Sequence, residues 1–320
     1  MKGKRNMLFA VMACIGMVGA VFASGATETA NAAYPNKEVN VIVIANAGGG
    51  TDAIARAVTN PLEKTLGKPF VVVNNGTAGG LVASEDIAHA APDGYTLGVF
   101  SNTDVASLTY GQKSPTFSVD DFTYIATLNT TGDILVLKKG SSFSSIEELV
   151  AYAKANPGKV TIGLPSPAQE MTRALFEKAT GTKLTQVMYG GGNKVFADIL
   201  GGHVEMGVLG AKFIKQAEEQ NVNILGVTLE SPLSPFPEVP TFKSQGYDII
   251  NPASRMLVGP KGIPQEKIDV LVKALQTGFQ GEMKTTIEAT GEVPYLATGA
   301  DLRKFLESDF AMRKTYYQGN

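Results

Sequence analysis

The clearest candidate for chemistry in the chain is a glycine-rich loop between a predicted strand and a predicted helix. After an apolar run at residues 39–44, the loop reads Asn46-Ala47-Gly48-Gly49-Gly50-Thr51-Asp52. Glycine lets a ligand approach bare backbone N–H groups, and N–H groups at a helix start favour an anion. The loop therefore predicts an anion site. Two alternatives stay open: a cap made by Thr51 or Asp52, and a dinucleotide fingerprint.

Sequence features expected of a nucleotide site or an enzyme are missing elsewhere. Gly48, Gly50 and Ala53 fit G-x-G-x-x-A, but the ribose-binding acid is absent because the second strand ends in Asn74-Asn75. The sequence contains no P-loop, no G-x-S-x-G elbow and no H-E-x-x-H motif. We therefore expect a protein that is not an enzyme and uses no cofactor and no metal.

Composition narrows the class of protein further. The chain has 320 residues, 44% of them apolar and 18% charged, which is enough for two packed domains. A net charge of −2 gives no basic surplus for nucleic acid. One Cys and two His disfavour disulfides and metal centres.

The N-terminus has the layout of a secretory signal peptide. Lys2, Lys4 and Arg5 precede an uncharged run at residues 7–22, and small residues follow. We predict a leader at residues 1–32, cleaved after Ala23 or Ala32, and a location in the periplasm or cell envelope. Lipid anchoring at Cys14 is the alternative, but the apolar run continues past this residue.

Predicted strands and helices alternate along the remaining chain. This rhythm predicts parallel sheets covered by helices on both faces, in two α/β domains. Residues 124–138 and 247–258 interrupt the rhythm, and we interpret them as two crossings between domains. The expected fold is a two-lobed periplasmic-binding-protein (Venus flytrap) fold. Residues 33–133 with 255–320 form one lobe and 134–254 the other.

Several motifs resemble, in register, the solute receptors of tripartite tricarboxylate transporters, also called the Bug family. They are the glycine loop, Tyr34-Pro35-x-Lys37, Ala90-Ala91-Pro92-Asp93-Gly94-Tyr95, Asn156-Pro157-Gly158-Lys159, Tyr189-Gly190-Gly191, Asp198-Ile199-Leu200-Gly201-Gly202-His203 and Phe236-Pro237-Glu238-Val239-Pro240-Thr241. The resemblance implies a monomeric receptor that closes on a small mono- or dicarboxylate and delivers it to membrane permease subunits. An exported α/β enzyme or sensor domain that uses the same anion loop remains the alternative.

The resemblance also implies where the ligand binds. In the first lobe the glycine loop would hold one carboxylate, bordered by Gly79, Ser101 and Asn102. The second lobe would contribute Ser166, Gln169, Tyr189, Gly190, Gly191 and Asn193. Residues 164–170 depart from the family pattern, since two prolines remove N–H donors and Glu170 stands where relatives have His.

Arg255 is the cation among these matched positions, near the second crossing. A guanidinium could bind a second acidic group of the ligand. Alternatively, Arg255 is a structural residue paired with an acid such as Asp133 or Asp248.

Overall fold

The fold is described from a computed structural model that covers residues 34–165, 167–233 and 235–319. The predicted leader, its cleavage sites and Cys14 lie outside the described residues, and so do Ser166 and the side chain of Pro167.

The strands form two mixed sheets. They are β1 Val39–Val43, β2 Phe70–Asn74, β3 Thr96–Ser101, β4 Phe122–Thr127, β5 Asn129–Leu137, β6 Thr161–Leu164, β7 Thr185–Met188, β8 Met206–Gly210, β9 Ile224–Val227, β10 Pro252–Ala253, β11 Arg255–Pro260 and β12 Val293–Pro294.

Helices cover both sheets. They are α1 Gly50–Leu66, α2 Leu81–Ala88, α3 Asn102–Tyr110, α4 Ile146–Ala155, α5 Glu170–Thr180, α6 Gly192–Gly201, α7 Ile214–Glu219, α8 Gln265–Phe279, α9 Glu282–Ala289 and α10 Gly299–Gly319. Short 3₁₀ turns lie at Thr77–Gly80, Val119–Asp121, Pro167–Gln169, Ala211–Phe213 and Lys243–Gln245.

The first sheet has the order β2-β1-β3-β11-β4. Strands β1, β2 and β3 are parallel, as the sequence predicts, but β11 runs antiparallel to both β3 and β4. In the second sheet β6, β7 and β8 are parallel, whereas β5 is antiparallel to β8 and β9. The expectation of parallel sheets therefore holds for these six strands and is wrong for β5 and β11. The exceptions arise because β5 and β11 are the segments by which the chain passes directly between the sheets.

The crossings lie between β4 and β5, at Leu128, and between β10 and β11, at Ser254. They are joined by a hydrogen bond from the Leu128 N–H to the Arg255 carbonyl, at 2.8 Å. A third segment, β12, pairs with β5 at Asn129 and Thr130. The predicted residue boundaries of the two lobes stay a prediction.

Each sheet is packed on both faces, which gives each lobe its own core. In the first lobe α1, α8 and α9 cover one face of the sheet, where Ile54 and Leu271 are buried. Helices α2, α3 and α10 cover the other face. In the second lobe α6 and α7 lie opposite α4 and α5. This layering places the starts of α1 and α3 at the carboxyl end of the parallel strands, the usual ligand edge of such sheets.

Candidate functional site

The glycine-rich loop is held in shape by one of its own acids. The Gly48 N–H donates to the Asp52 carboxylate at 2.8 Å, and Arg56 Nε donates to the same carboxylate at 3.0 Å. Burial alone would raise the pKa of Asp52, but these donors and Asn74 outweigh it and hold the pKa below its ordinary value. Asp52 thus stays ionised inside the loop, and its carboxylate faces the loop's own donors.

The start of α1 nevertheless leaves backbone donors for a ligand. Gly49 is the N-cap residue and makes no side-chain cap. The first N–H groups of a helix have no partner within the helix, so those of Gly50 and Thr51 extend beyond its start. Asn46, Ala47 and Gly48 are exposed, and Gly49 and Gly50 are half-buried. An anion can therefore reach these N–H groups, in the region of their partial positive charge.

The loop after β2 lies beside this one. A Cβ atom on Gly76 would fall 2.6 Å from Asn46 Oδ1 and 3.1 Å from Asn46 N, so a side chain here would force Asn46 to shift. Gly79 is exposed with a φ of +68°, and Gly80 is buried against Ile44. The structure thus brings Gly79 to the same edge of the sheet as the glycine loop.

Ser101 has a structural partner within its own helix. It forms a capping box with Asp104 at the start of α3, in which its Oγ accepts from the Asp104 N–H at 3.0 Å. The same hydroxyl lies 2.6 Å from a carboxylate oxygen of Asp104. Its observed role is to begin α3.

Asn102 is fully buried and closes the second crossing. Its Nδ2 donates to the Pro252 carbonyl at 3.0 Å and to Asp309 Oδ2 at 2.8 Å. Its Oδ1 accepts from the Ser254 N–H at 2.8 Å. The structure gives this amide three protein partners, so the expectation that it contacts ligand receives no support from its surroundings.

In the second lobe, Gln169 is directed towards a buried acid. Its side chain and that of Thr172 hydrogen-bond to Asp133. Burial raises the pKa of Asp133 to about 6, against the lowering effects of Thr172, Gln169 and Arg313. Ser166, the other residue predicted on this loop, lies outside the described residues.

The loop between β7 and α6 resembles the α1 loop in one respect. Gly191 is the N-cap residue of α6, with a φ of +142° and no side-chain cap, and Asn193 is exposed. Gly190 is also exposed. The Tyr189 hydroxyl donates to Asp198 at 2.6 Å, and burial, together with this acid, raises the pKa of Tyr189 to about 12. Tyr189 therefore stays protonated and braces the start of a second helix with free N–H groups.

Arg255 reaches the first turn of α1, but an acid already accompanies it. Its Nε donates to Thr51 Oγ1 at 3.2 Å, and its Nη1 lies 3.1 Å from Glu292 Oε1, without the angle of a hydrogen bond. Glu292 is 8% exposed and also accepts from Asn129 Nδ2 at 3.1 Å. A Cβ atom on Gly50 would fall 2.8 Å from Arg255 Nη2. The acid beside Arg255 is thus Glu292, and neither Asp133 nor Asp248.

A cavity of about 1190 Å³ lies elsewhere, between α5 and α10, with Thr130 and Pro252 of the crossings in its wall. None of the residues predicted for the ligand site lines it. Within residues 34–165, 167–233 and 235–319, no group of three or more His, Cys, Asp or Glu side chains could hold a metal ion. Over the same residues, no helix is both long and apolar enough to cross a membrane.

Two α/β lobes joined by crossing strands, with uncapped helix starts beside glycine loops, define a two-lobed solute-binding receptor of the periplasmic type. The profile of the tripartite tricarboxylate transporter family receptor, TctC, matches residues 54–317, and the chain belongs to this family. The resemblance stated from the sequence and the two-lobed α/β fold are both confirmed.

Individual relatives support the same placement. The chain is 32% identical over 248 residues to the UPF0065 protein in the gbd 5′ region of Cupriavidus necator. The aligned residues cover 76% of each protein. It is 27% identical over 308 residues to protein BugT of Bordetella pertussis, covering 93% of this chain and 94% of that one. A crystal structure of a TctC solute-binding protein from Polaromonas, without ligand, superposes with a TM-score of 0.81 at 25% identity, over 90% of this chain and all of the other.

Proposed function

We propose that this receptor is exported, captures a small carboxylate between its lobes and delivers it to a tripartite tricarboxylate-type permease in the membrane. The observation that carries the proposal is the uncapped start of α1. There Gly49 offers no side-chain cap, and the half-buried Gly50 begins the helix beside the exposed residues Asn46, Ala47 and Gly48. A carboxylate matches the N–H donors of a helix start in charge and in hydrogen-bonding capacity.

The loop geometry favours a ligand carboxylate over a protein acid in this position. The carboxylate of Asp52, the acid of the first turn of α1, accepts a hydrogen bond from the Gly48 N–H and pairs with Arg56. The carboxylate of Glu292 pairs with Arg255 and accepts a hydrogen bond from Asn129. Neither carboxylate accepts a hydrogen bond from the N–H groups of Gly50 and Thr51, so these donors remain for a group that comes from solution.

Two proteins of the same fold support the choice of carboxylates for a ligand screen. One from Rhodopseudomonas palustris was crystallised with malate and one from R. palustris with adipate, each 22% identical to this chain, with TM-scores of 0.70 and 0.72. At this identity the likeness concerns the fold, so the ligand of this chain has to be measured.

A ligand screen tests the proposal. Purified protein is melted, with circular dichroism as the signal because the chain has no Trp, in the presence of mono-, di- and tricarboxylates of two to six carbons. A ligand at a hundredfold excess over its Kd stabilises the folded state by about 2.7 kcal/mol, which raises the melting temperature measurably.

Parallel samples are analysed by chromatography for chemical change of the ligand. We expect stabilisation by at least one carboxylate and its recovery unaltered after long incubation. Catalytic consumption of the ligand would support the exported enzyme instead. Absence of stabilisation by every carboxylate would contradict the proposed function.

A further inference from the structure

Lys212 lies where the two lobes come together. It belongs to the 3₁₀ turn Ala211–Phe213, directly after β8, and it is exposed. A Cβ atom on Gly291, which belongs to the first lobe, would fall 3.7 Å from Lys212 Cβ. The stem of this second-lobe lysine therefore lies against the first lobe.

The same region adjoins the start of both uncapped helices. On one side, the ring of Phe213 lies 2.8 Å from the position of a Cβ atom on Gly192, the first residue of α6. On the other side, Glu292 follows Gly291, and its Oε1 lies 3.8 Å from the position of a Cβ atom on Gly50 in α1. Lys212 therefore lies next in sequence to a residue that packs on the start of α6, and in space beside Gly291, whose neighbour Glu292 approaches the start of α1.

The positive charge of Lys212 is not paired with an acid in the part of the chain that the structure describes. No carboxylate of the described residues lies within ion-pair distance of its Nζ, which is 5.6 Å from the centre of the Phe213 ring. Nearby Glu292 is engaged by Arg255 at 3.1 Å. Lys212 therefore contrasts with Arg255, the residue that the sequence suggested for contact with a second acidic group.

A second lysine adds to this charge. Lys194 lies in the first turn of α6, and its Nζ lies 3.4 Å from the position of a Cβ atom on Gly190. A cation is disfavoured at a helix start, where the helix already presents partial positive charge, and no acid occupies this first turn. Lys194 and Lys212, which lack an acid partner in the described chain, therefore create a positive electrostatic potential around the start of α6 and the turn Ala211–Phe213. An anion from solution would neutralise this potential.

We propose that Lys212, assisted by Lys194, binds a second anionic group of the ligand and makes this receptor selective for dicarboxylates over monocarboxylates. The inference rests on the proposed function, since the first carboxylate is the one held at the start of α1. Lysine suits this role because its ammonium is a compact charge on a flexible stem, able to follow diacids of different length.

Matched pairs of ligands test the proposal. Succinate, malate and adipate are compared by calorimetry with their half-amides, in which one carboxylate is replaced by a neutral group of similar size. We expect the parent protein to bind at least one diacid roughly tenfold or more tightly than its half-amide, the size of one charge-assisted hydrogen bond. Higher ionic strength should reduce this preference, since salt screens an exposed charge.

Variants assign the preference to its residue. Lys212→Met should weaken binding of the diacid about tenfold and that of the half-amide less than about twofold. Lys194→Met should act in the same direction, and Lys183→Met, an exposed lysine after α5, is the matched control that should leave both affinities unchanged. All three side chains are exposed, so the variants should fold normally.

Equal losses for the diacid and the half-amide, or no loss in Lys212→Met, would overturn the role of Lys212 while the proposed function stands. A parent protein that binds a diacid and its half-amide equally, or binds only monocarboxylates, would do the same. A parent protein that binds none of these acids, in this test or the wider screen, contradicts the proposed function itself.

Discussion

Replacing Arg255 with methionine should destabilise the fold more than it weakens ligand binding. The side chain of Arg255 is 18% exposed and that of Glu292 is 8% exposed. Removing the guanidinium leaves the Glu292 carboxylate buried with Asn129 Nδ2 as its remaining donor. Thr51 Oγ1 loses its donor at the same time.

The magnitude follows from the burial of the pair. Removal of one member of a buried ion pair costs about 3–5 kcal/mol, because the other charge is left uncompensated. We expect about 3 kcal/mol for Arg255→Met, at the lower end of that range. Asn129 still serves Glu292, and the guanidinium retains some contact with water. The double variant Arg255→Met/Glu292→Leu should recover most of the loss, because apolar replacement of a buried pair is often neutral.

Urea unfolding followed by far-ultraviolet circular dichroism measures these differences. Lys64→Met is the matched control, since Lys64 and Glu282 form an exposed ion pair between α1 and α9, at 66% and 52% exposure. Its loss should cost less than about 1 kcal/mol. A loss below 1 kcal/mol for Arg255→Met, with no recovery in the double variant, would refute the structural role and leave the guanidinium free to bind the ligand.

Three further outcomes are expected. Gly49→Val should fold, because φ −79° and ψ 170° suit valine and its Cβ lies a tight 3.2 Å from the Asn46 carbonyl oxygen, but calorimetry should find ligand binding lost. Gly49→Ala should show a smaller loss, and unchanged affinity in Gly49→Val would remove the loop from the site. Small-angle scattering should give a smaller radius of gyration at saturating ligand, as the lobes close about the crossings at Leu128 and Ser254; identical values would count against closure. Burial raises the pKa of Asp133 to about 6, so between about pH 4 and pH 6 the folded protein holds a proton that the unfolded chain has released. The contribution of Asp133 to the free energy of unfolding therefore falls by about 3 kcal/mol as the pH rises through this window. Urea titrations of Asp133→Asn should lack this fall, and a variant with the parent's pH profile would contradict the assignment.

Helices with a regular apolar face were predictable from local sequence. The period of Ile54, Ala57, Val58 and Leu62 indicates α1, and these residues are buried against the first sheet. Residues 146–155 likewise have the pattern of a helix, and α4 occupies this range. Burial of an apolar stripe stabilises such a helix in any α/β arrangement, so knowledge of its neighbours is not needed.

Helix α3 and the position of strand β11 do not follow from the sequence pattern. Helix α3 is not predicted from the sequence because its apolar period is weak. Ser101 and Asp104, three residues apart, form a capping box at its start, and this spacing is the local signal for the helix. The sequence pattern places most of strand β11 in a crossing. It is a central strand of the first sheet, between β3 and β4, and this position follows only from its long-range pairing.

The sequence by itself determined the class of protein and the position of its glycine-rich loop. Glycines between a strand and a helix act through the local backbone, so their chemistry can be inferred without a fold. Tertiary structure alone decided the charge and availability of the surrounding side chains. It paired Arg255 with Glu292, buried Asn102 against Ser254 and left Lys212 without an acid partner among the described residues. Each of these outcomes depends on which distant segments the two sheets bring together.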